Sequence, residues 1–333
     1  MKKLLVILLL YSFVFIVNGK KIAEFEDIYN LIYFYIDGND LYAIDGEGVK
    51  HFSIRDMELK RIIGKKGEGP GEYKGFPRVK ITHDQIMITG FTKILFFSRN
   101  GEYINEVKKP VNYSANIVGK NILVTESDID SKNRLAKSSV WVSDKNFNKI
   151  RDLYSYERKL PEIPEKKSVK LKFDRELFHS LPIAVTGDEN IYVYRKSKNF
   201  SIDIYNSMGD KVRTLKREVT LVKITEEFKK NFIAFMDQNR VKVNDGVSFD
   251  WNYIFTEYIP PITYLRVQDN KLYITTYDKT GKNKKISMMD MNGKILKKGM
   301  VPLKYKSVMD EDKIYYMIDN ENDEVWELHM VSL

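Results

Sequence analysis

The sequence predicts an all-β fold, a six-bladed β-propeller with one short helical insertion. Three observations predict it: a strand-turn-strand signature that recurs six times, a period of two inside each copy, and tight-turn dipeptides at matching places in several copies. The copies begin at Asn39, Asp84, Asn121, Glu189, Asn270 and Asp312.

Within a copy, β-branched and aromatic residues fill short runs bounded by Asn, Asp and Gly, as in Ile86 to Gly90 and Ile94 to Ser98. Asn100-Gly101, Gly209-Asp210 and Asn292-Gly293 then mark turns that need positive backbone φ. Runs such as FPRVKITHD before Asp84 and ITYLRVQD before Asn270 supply a further strand, making about four per unit. Four-stranded sheets repeated in this way arrange radially, because each must bury its faces on its neighbours. The third copy departs from the pattern, since it lacks a clean turn glycine.

Two gaps interrupt the repeats, near residues 154–183 and 217–262. In the second, Thr225 suits an N-cap, Glu226 and Glu227 suit a first turn, and Phe228, Phe232, Ile233, Phe235 and Met236 form one apolar face, which predicts a short helix. Insertions in repeat folds fall on one face, as part of a binding surface or as a lid on the rim. The last copy ends at Leu333 with no room for a fourth strand, whereas KKIAEFEDI from Lys20 is strand-like and belongs to no copy. That segment is expected to become the outermost strand of the last blade and so close the ring.

The N-terminus has the layout of a secretory signal peptide: Lys2 and Lys3, an apolar run from Leu4 to Val17, then Val17 and Gly19 as small residues two apart. The run falls short of the roughly 20 residues that cross a bilayer. Cleavage after Gly19 is expected, leaving residues 20–333 as a single propeller domain, exported to the periplasm or secreted, with no stable membrane insertion. There is no cysteine, which excludes disulfides, thiolate metal sites and a cysteine nucleophile. The net charge of +9 falls to +7 without the leader, and its lysines are scattered among acids, so no nucleic-acid partner is expected.

The stretch IGKKGEGPGEYKGFP concentrates Gly67, Gly69, Gly71 and Pro70 just before Glu72 and Tyr73. It lacks both the P-loop spacing and the strand-to-helix setting of a dinucleotide loop. It reads instead as a corner between the first blade and the inner strand of the second, in which Glu72 and Tyr73 fasten the loop. IIGKKGEGPGEYKGFPRVKI resembles the Gly-x-Gly-Pro-Gly-Glu-aromatic segment of the exported six-bladed β-propellers of bacteria related to NHL-repeat proteins. YIPPITYLRVQDNKLYITTYDKTGKNKKISMMDMNGKIL is similar to a later blade of that family. The resemblance implies the propeller fold and an exported location, and no single activity.

The four histidines, His51, His83, His179 and His329, show no metal-ligand spacing, and no Gly-x-Ser-x-Gly elbow is present. The acids Asp128, Asp130, Asp310, Glu311 and Asp312 lack the order of a calcium loop. No metal, cofactor or catalytic residue is therefore assigned. Arg78 in FPRVKI and Arg266 in YLRVQD fall at similar places on inner strands. There they either recognise a carboxylate-bearing ligand in the channel or belong to a structural network. The leading expectation is a monomeric binding or scaffolding module, more a binder than an enzyme, whose ligand is an unidentified protein or cell-envelope component. The alternative is a hydrolase or lyase with a polar site at the channel mouth.

Overall fold

The computed structural model describes residues 19–332 apart from Gly46, Phe76, His83, Asn112, Ser131, Arg134, 160–169, 178–182, Asp188, 196–198 and 239–247; at Ile129, Arg158, 170–177 and 248–252 it describes the backbone alone. The described residues open with β1 (Lys20–Phe25). Blade 1 follows as β2 (Tyr33–Asp37), β3 (Asp40–Ile44), β4 (Gly48–Ser53) and β5 (Leu59–Lys66), with a two-residue strand β6 (Glu72–Tyr73) added parallel to β5. Blade 2 is β7 (Arg78–Ile81), β8 (Gln85–Thr89), β9 (Lys93–Ser98) and β10 (Tyr103–Lys108). Blade 3 is β11 (Tyr113–Val118), β12 (Asn121–Asp130), β13 (Leu135–Ser143) and β14 (Lys149–Lys159).

After β15 (Lys170–Leu177) comes blade 4, with β16 (Ile183–Thr186), β17 (Asn190–Tyr194), β18 (Phe200–Asn206) and β19 (Lys211–Arg217). The second insertion holds β20 (Val222–Lys223), α1 (Glu226–Gln238), β21 (Ser248–Phe255) and β22 (Tyr258–Ile259). Blade 5 is β23 (Tyr264–Gln268), β24 (Lys271–Tyr277), β25 (Asn283–Asp290) and β26 (Ile295–Pro302). Blade 6 is β27 (Lys306–Asp310), β28 (Lys313–Asn320) and β29 (Val325–Ser332), completed by β1. The fold is a six-bladed β-propeller with a single described helix.

The middle strands are nearly continuous apolar runs, as in β3, β8, β9 and β17, where successive residues are buried; each sheet therefore has two apolar faces, and each face is buried on the next blade. Six clusters result, one per interface, from Tyr42, Ile63, Val79 and Leu95 between blades 1 and 2 around to Phe34, Leu41, Met317 and Leu328 between blades 6 and 1. β1 supplies Ala23 and Phe25 to that last cluster and pairs antiparallel with β29, Lys20 opposite Met330 and Phe25 opposite Trp326. The N-terminal segment is thus the outermost strand of blade 6.

The outermost strands share a local device. Pairing skips Ile104 in β10, Ile150 in β14, Val212 in β19 and Leu296 in β26, and it skips Ile22 in β1 at the corresponding place. Such a bulge adds twist and keeps an edge from recruiting another strand. The turn before each of the chain-continuous outer strands contains one residue of positive φ: Met57 (59°), Gly101 (79°), Phe147 (64°), Gly209 (84°) and Gly293 (85°). Three of these glycines also lie on the preceding blade. A Cβ on Gly101 would fall 2.9 Å from Arg61, one on Gly209 3.1 Å from Arg151, and one on Gly293 2.9 Å from Leu215. Polar bonds reinforce the contact: Arg61 donates to the Asn100 carbonyl, Arg151 pairs with Asp210 at 2.8 Å, and Arg213 donates to the Met291 carbonyl at 2.6 Å.

The helix forms as its sequence predicts. Thr225 Oγ1 accepts from the Phe228 amide at 3.2 Å, Glu226 and Glu227 occupy the first turn, and Phe228 and Phe232 are buried against Phe255 and Tyr277. β15 and β21 pair in parallel, so the two insertions, which flank blade 4 in the chain, meet each other. β14 continues to Lys159, because Tyr154 and Tyr156 sustain the strand alternation beyond Leu153.

A chain beginning at residue 29 lacks β1, Ala23 and Phe25. Its unfolding free energy is expected to fall by about 3 kcal/mol or more, the usual consequence of emptying a buried phenylalanine site. Chemical denaturation of the two lengths checks this, and equal midpoints would contradict it.

Candidate functional site at the channel entrance

The first strand of each blade is its inner edge, and first strands of consecutive blades touch, as β2 does β27 and β16 does β23. All six run in the same sense along the channel. Every blade-to-blade connection, including the glycine segment and both insertions, therefore arrives at the end where these strands begin.

At that entrance the Tyr33 hydroxyl donates to the Pro77 carbonyl at 2.6 Å and accepts from the Val79 amide at 2.8 Å, which ties blade 1 to blade 2. Burial pushes this phenol up well beyond its ordinary value. Tyr264 stands at the start of β23 with half its surface exposed. Arg78 is exposed, and one guanidinium nitrogen donates to Ser114 Oγ on blade 3. Beside it Lys109 is buried; its ammonium donates to the carbonyls of Phe91 (2.5 Å), Tyr113 (2.6 Å) and Pro110 (3.1 Å). Burial, with the Arg78 charge added, lowers the Lys109 amine to about 8. Among the described residues no carboxylate pairs with either cation.

The two arginines singled out by the sequence are not equivalent. Val79 and Leu265 face back to the preceding blade, so the register matches Arg78 with Tyr264 and Lys80 with Arg266. Arg266 therefore lies two residues deeper. Its guanidinium donates to the Met309 carbonyl of blade 6 and covers the Tyr273 ring at 4.7 Å, a structural engagement. Lys80 acts similarly, donating to Thr186 Oγ1 at 2.7 Å and to the Ile117 carbonyl at 3.2 Å.

The opposite mouth is acidic. Asp310 is buried there and accepts from Gln268 Nε2 at 3.2 Å; burial raises its carboxyl, and Glu311, Asp37 and Asp269 reinforce this against Arg266. The channel thus runs from cations at the entrance to carboxylates at the exit.

The glycine segment frames the entrance without forming a cradle. Glu72 folds back onto it, accepting from the Gly69 amide at 2.9 Å and pairing with Lys65 at 3.1 Å; these two contacts, the amide first, hold its carboxyl below the usual value. A Cβ on Gly67 would fall 2.0 Å from the Glu72 carboxylate. Buried Lys93 holds the loop from beneath, donating to the carbonyls of Gly69 (2.7 Å) and Glu68 (3.2 Å) and pairing with Glu106 at 3.0 Å. Gly71 carries a φ of 73°, Pro70 precedes it, and Tyr73 is fully buried in the core between blades 1 and 2.

Residues 52–316 match the DUF5128 family, described as 6-bladed beta-propeller. The chain belongs to that family. No curated protein matches the sequence. Among solved structures, the beta-propeller domain of the Trilobed protease from Pyrococcus furiosus is similar at 12% identity and a TM-score of 0.43, over 86% of this chain and 77% of that one. The AfRom2 CNH domain is similar at 6% identity and a TM-score of 0.40, over 95% and 99%. The acylaminoacyl peptidase of Pyrococcus horikoshii is similar at 11% identity and 0.42, over 86% and 48%.

In this DUF5128 propeller two of the four histidines are described, and both lie away from the entrance. His329 pairs with Glu327 at 2.8 Å and stacks on Tyr316. His51 is buried, with Nε2 2.7 Å from Asp40 Oδ1, its ring stacked on Tyr42 at 4.5 Å, and Nδ1 without a hydrogen-bond partner among the described residues. His83 and His179 lie outside the described residues. No group of three or more metal-ligating side chains gathers among the described residues.

Two outcomes follow for stability. Gly75 has a φ of 83° and a Cβ there would fall 2.5 Å from the Phe91 ring, so Gly75→Ala is expected to cost about 1–2 kcal/mol from backbone strain alone, read by urea denaturation. Burial pushes the His51 imidazole below its ordinary 6.5 despite Asp40. The unfolded chain therefore takes up this proton first: the His51 contribution is fully present above pH 6.5 and is lost as pH falls below it. Urea midpoints at pH 7.5 and 5.5 should drop further for the parent than for His51→Gln, which keeps a donor for Asp40 and cannot titrate.

Proposed function

We propose that this propeller is an exported binding module that takes a carboxylate-bearing ligand, free or on a cell-envelope partner, at the channel entrance. One observation carries the reading: Arg78 and Lys109 lie together at the mouth, with no carboxylate among the described residues pairing with either. Like charges held close in a partly desolvated site repel, and an anion between them offsets that repulsion. The three donors of Lys109 are already used on carbonyls, so it supplies positive potential. Arg78, with donors beyond the one given to Ser114, supplies the directional contact. Tyr33 and Tyr264 give the mouth aromatic walls, and the helix of the second insertion packs on the blade 5 turn through Tyr277 and the Thr280 carbonyl.

Export is supported by the Lys2-Lys3, apolar run and Val17-x-Gly19 layout of the N-terminus. Among the described residues no helix is long and apolar enough to cross a membrane. The described entrance gathers cations and phenols around Arg78, which supports recognition of an anionic ligand there.

Isothermal titration of the mature protein with succinate, glucuronate and inorganic phosphate tests the reading. At least one is expected to bind, more weakly as salt rises, and Arg78→Gln should weaken that binding at least tenfold with an unchanged melting temperature. Binding unaffected by Arg78→Gln, or none of the three binding, would overturn it.

A further inference from the structure

The missing glycine of the third repeat has a structural consequence at the interface of blades 2 and 3. Where the turn residue is Gly101, Gly209 or Gly293, the turn lies flush on the outer strand of the preceding blade. Blade 3 places Phe147 there instead, at a φ of 64°. A phenyl ring does not allow so close an approach. It turns inward, 6.0 Å from the Tyr113 ring, and joins the core that holds Phe96 and Trp141.

Beside this wedge a cavity of ≈ 260 Å³ opens between the two blades. Its floor is apolar: Ile94, Phe96, Val107, Ile117 and Ile122. At its rim stand Lys120 and Lys145, both exposed, with the amide of Asn105. Among the described residues no acid lines it. Lys145 belongs to the same turn as Phe147, so the wedge and one rim cation are parts of one local departure from the repeat.

We propose that this cavity is a second binding site, for a small free carboxylate with a short aromatic or branched aliphatic tail. The tail occupies the apolar floor and the carboxylate meets the two rim lysines. A water molecule takes about 30 Å³ of the liquid, so the volume suits a ligand of about ten non-hydrogen atoms, the size of phenylacetate. Burial of the tail supplies most of the affinity, and the lysines select charge. The site shares no residue with the channel entrance and does not rest on the function proposed there.

Saturation-transfer NMR and titration calorimetry with phenylacetate test it, with 2-phenylethanol and 2-phenylethylamine as neutral and cationic counterparts of the same tail. Phenylacetate is expected to bind, the alcohol at least tenfold more weakly, and the amine not measurably. The double change Lys120→Glu and Lys145→Glu, at two exposed positions, should weaken phenylacetate at least tenfold with little change in melting temperature. Phe147→Gly should restore the close turn and reduce binding as well, while Arg78→Gln should leave it unchanged. No binding of phenylacetate, equal binding of all three compounds, full retention in the double lysine variant, or loss on Arg78→Gln would each overturn the proposal.

Discussion

A twisted four-stranded sheet with apolar residues on both faces has no stable form alone, and that constraint shapes this molecule. Each blade here is covered only by its neighbours, so the covering is complete only when the last blade meets the first. That meeting is made by the pairing of β1 with β29, which brings Phe25 opposite Trp326 and carries Ala23 and Phe25 into the core shared with Phe34 and Leu41. The other five interfaces are closed by chain continuity. This one is held by hydrogen bonds and apolar contact between the two ends of the domain.

Because the blades are alike, the same local solutions recur around the ring: a positive-φ turn, a bulged outer strand, and a side chain reaching from one blade to the turn of the next. The glycine at the turn meets two demands together, its own backbone angle and the nearness of the preceding blade. Departures from this regularity mark where the molecule differs from a bare scaffold. Phe147 is one, the cation pair at the channel mouth is another, and the insertions beside blade 4 are a third. Charge is also distributed by position, since the inner strands begin among Arg78 and Lys109 and end near Asp37, Asp269 and Asp310.

Much of this is legible in the sequence, for reasons that are local. The apolar run Ile86–Thr89, the turn at Asn100-Gly101 and the Thr225 cap each depend on residues a few positions apart, although the run expected to alternate is buried on both faces. Even ring closure can be read by noticing a strand without a copy and a copy without a strand. What could not be read depends on register between distant segments. Arg78 and Arg266 look alike in FPRVKI and YLRVQD, yet the pleat places Arg266 beside Lys80's level and Arg78 at Tyr264's. The glycine segment was legible as a corner, whereas its brief parallel pairing with β5 and the grip of Lys93 on its carbonyls were not. The absent turn glycine of the third repeat could be seen as a defect; that an aromatic ring fills the place and joins the core between two blades depends on where the turn falls in space.

The parallel pairing of β15 with β21 joins the connection entering blade 4 to the connection leaving it. The backbone between them becomes a closed hoop containing one whole blade. Under tension applied at its two ends, such a blade cannot be peeled from the ring by itself until the hoop is unfastened. The order in which the ring comes apart is thereby biased, with blade 4 retained while its neighbours yield. A fold that otherwise treats its sheets as equals thus has one that is mechanically privileged.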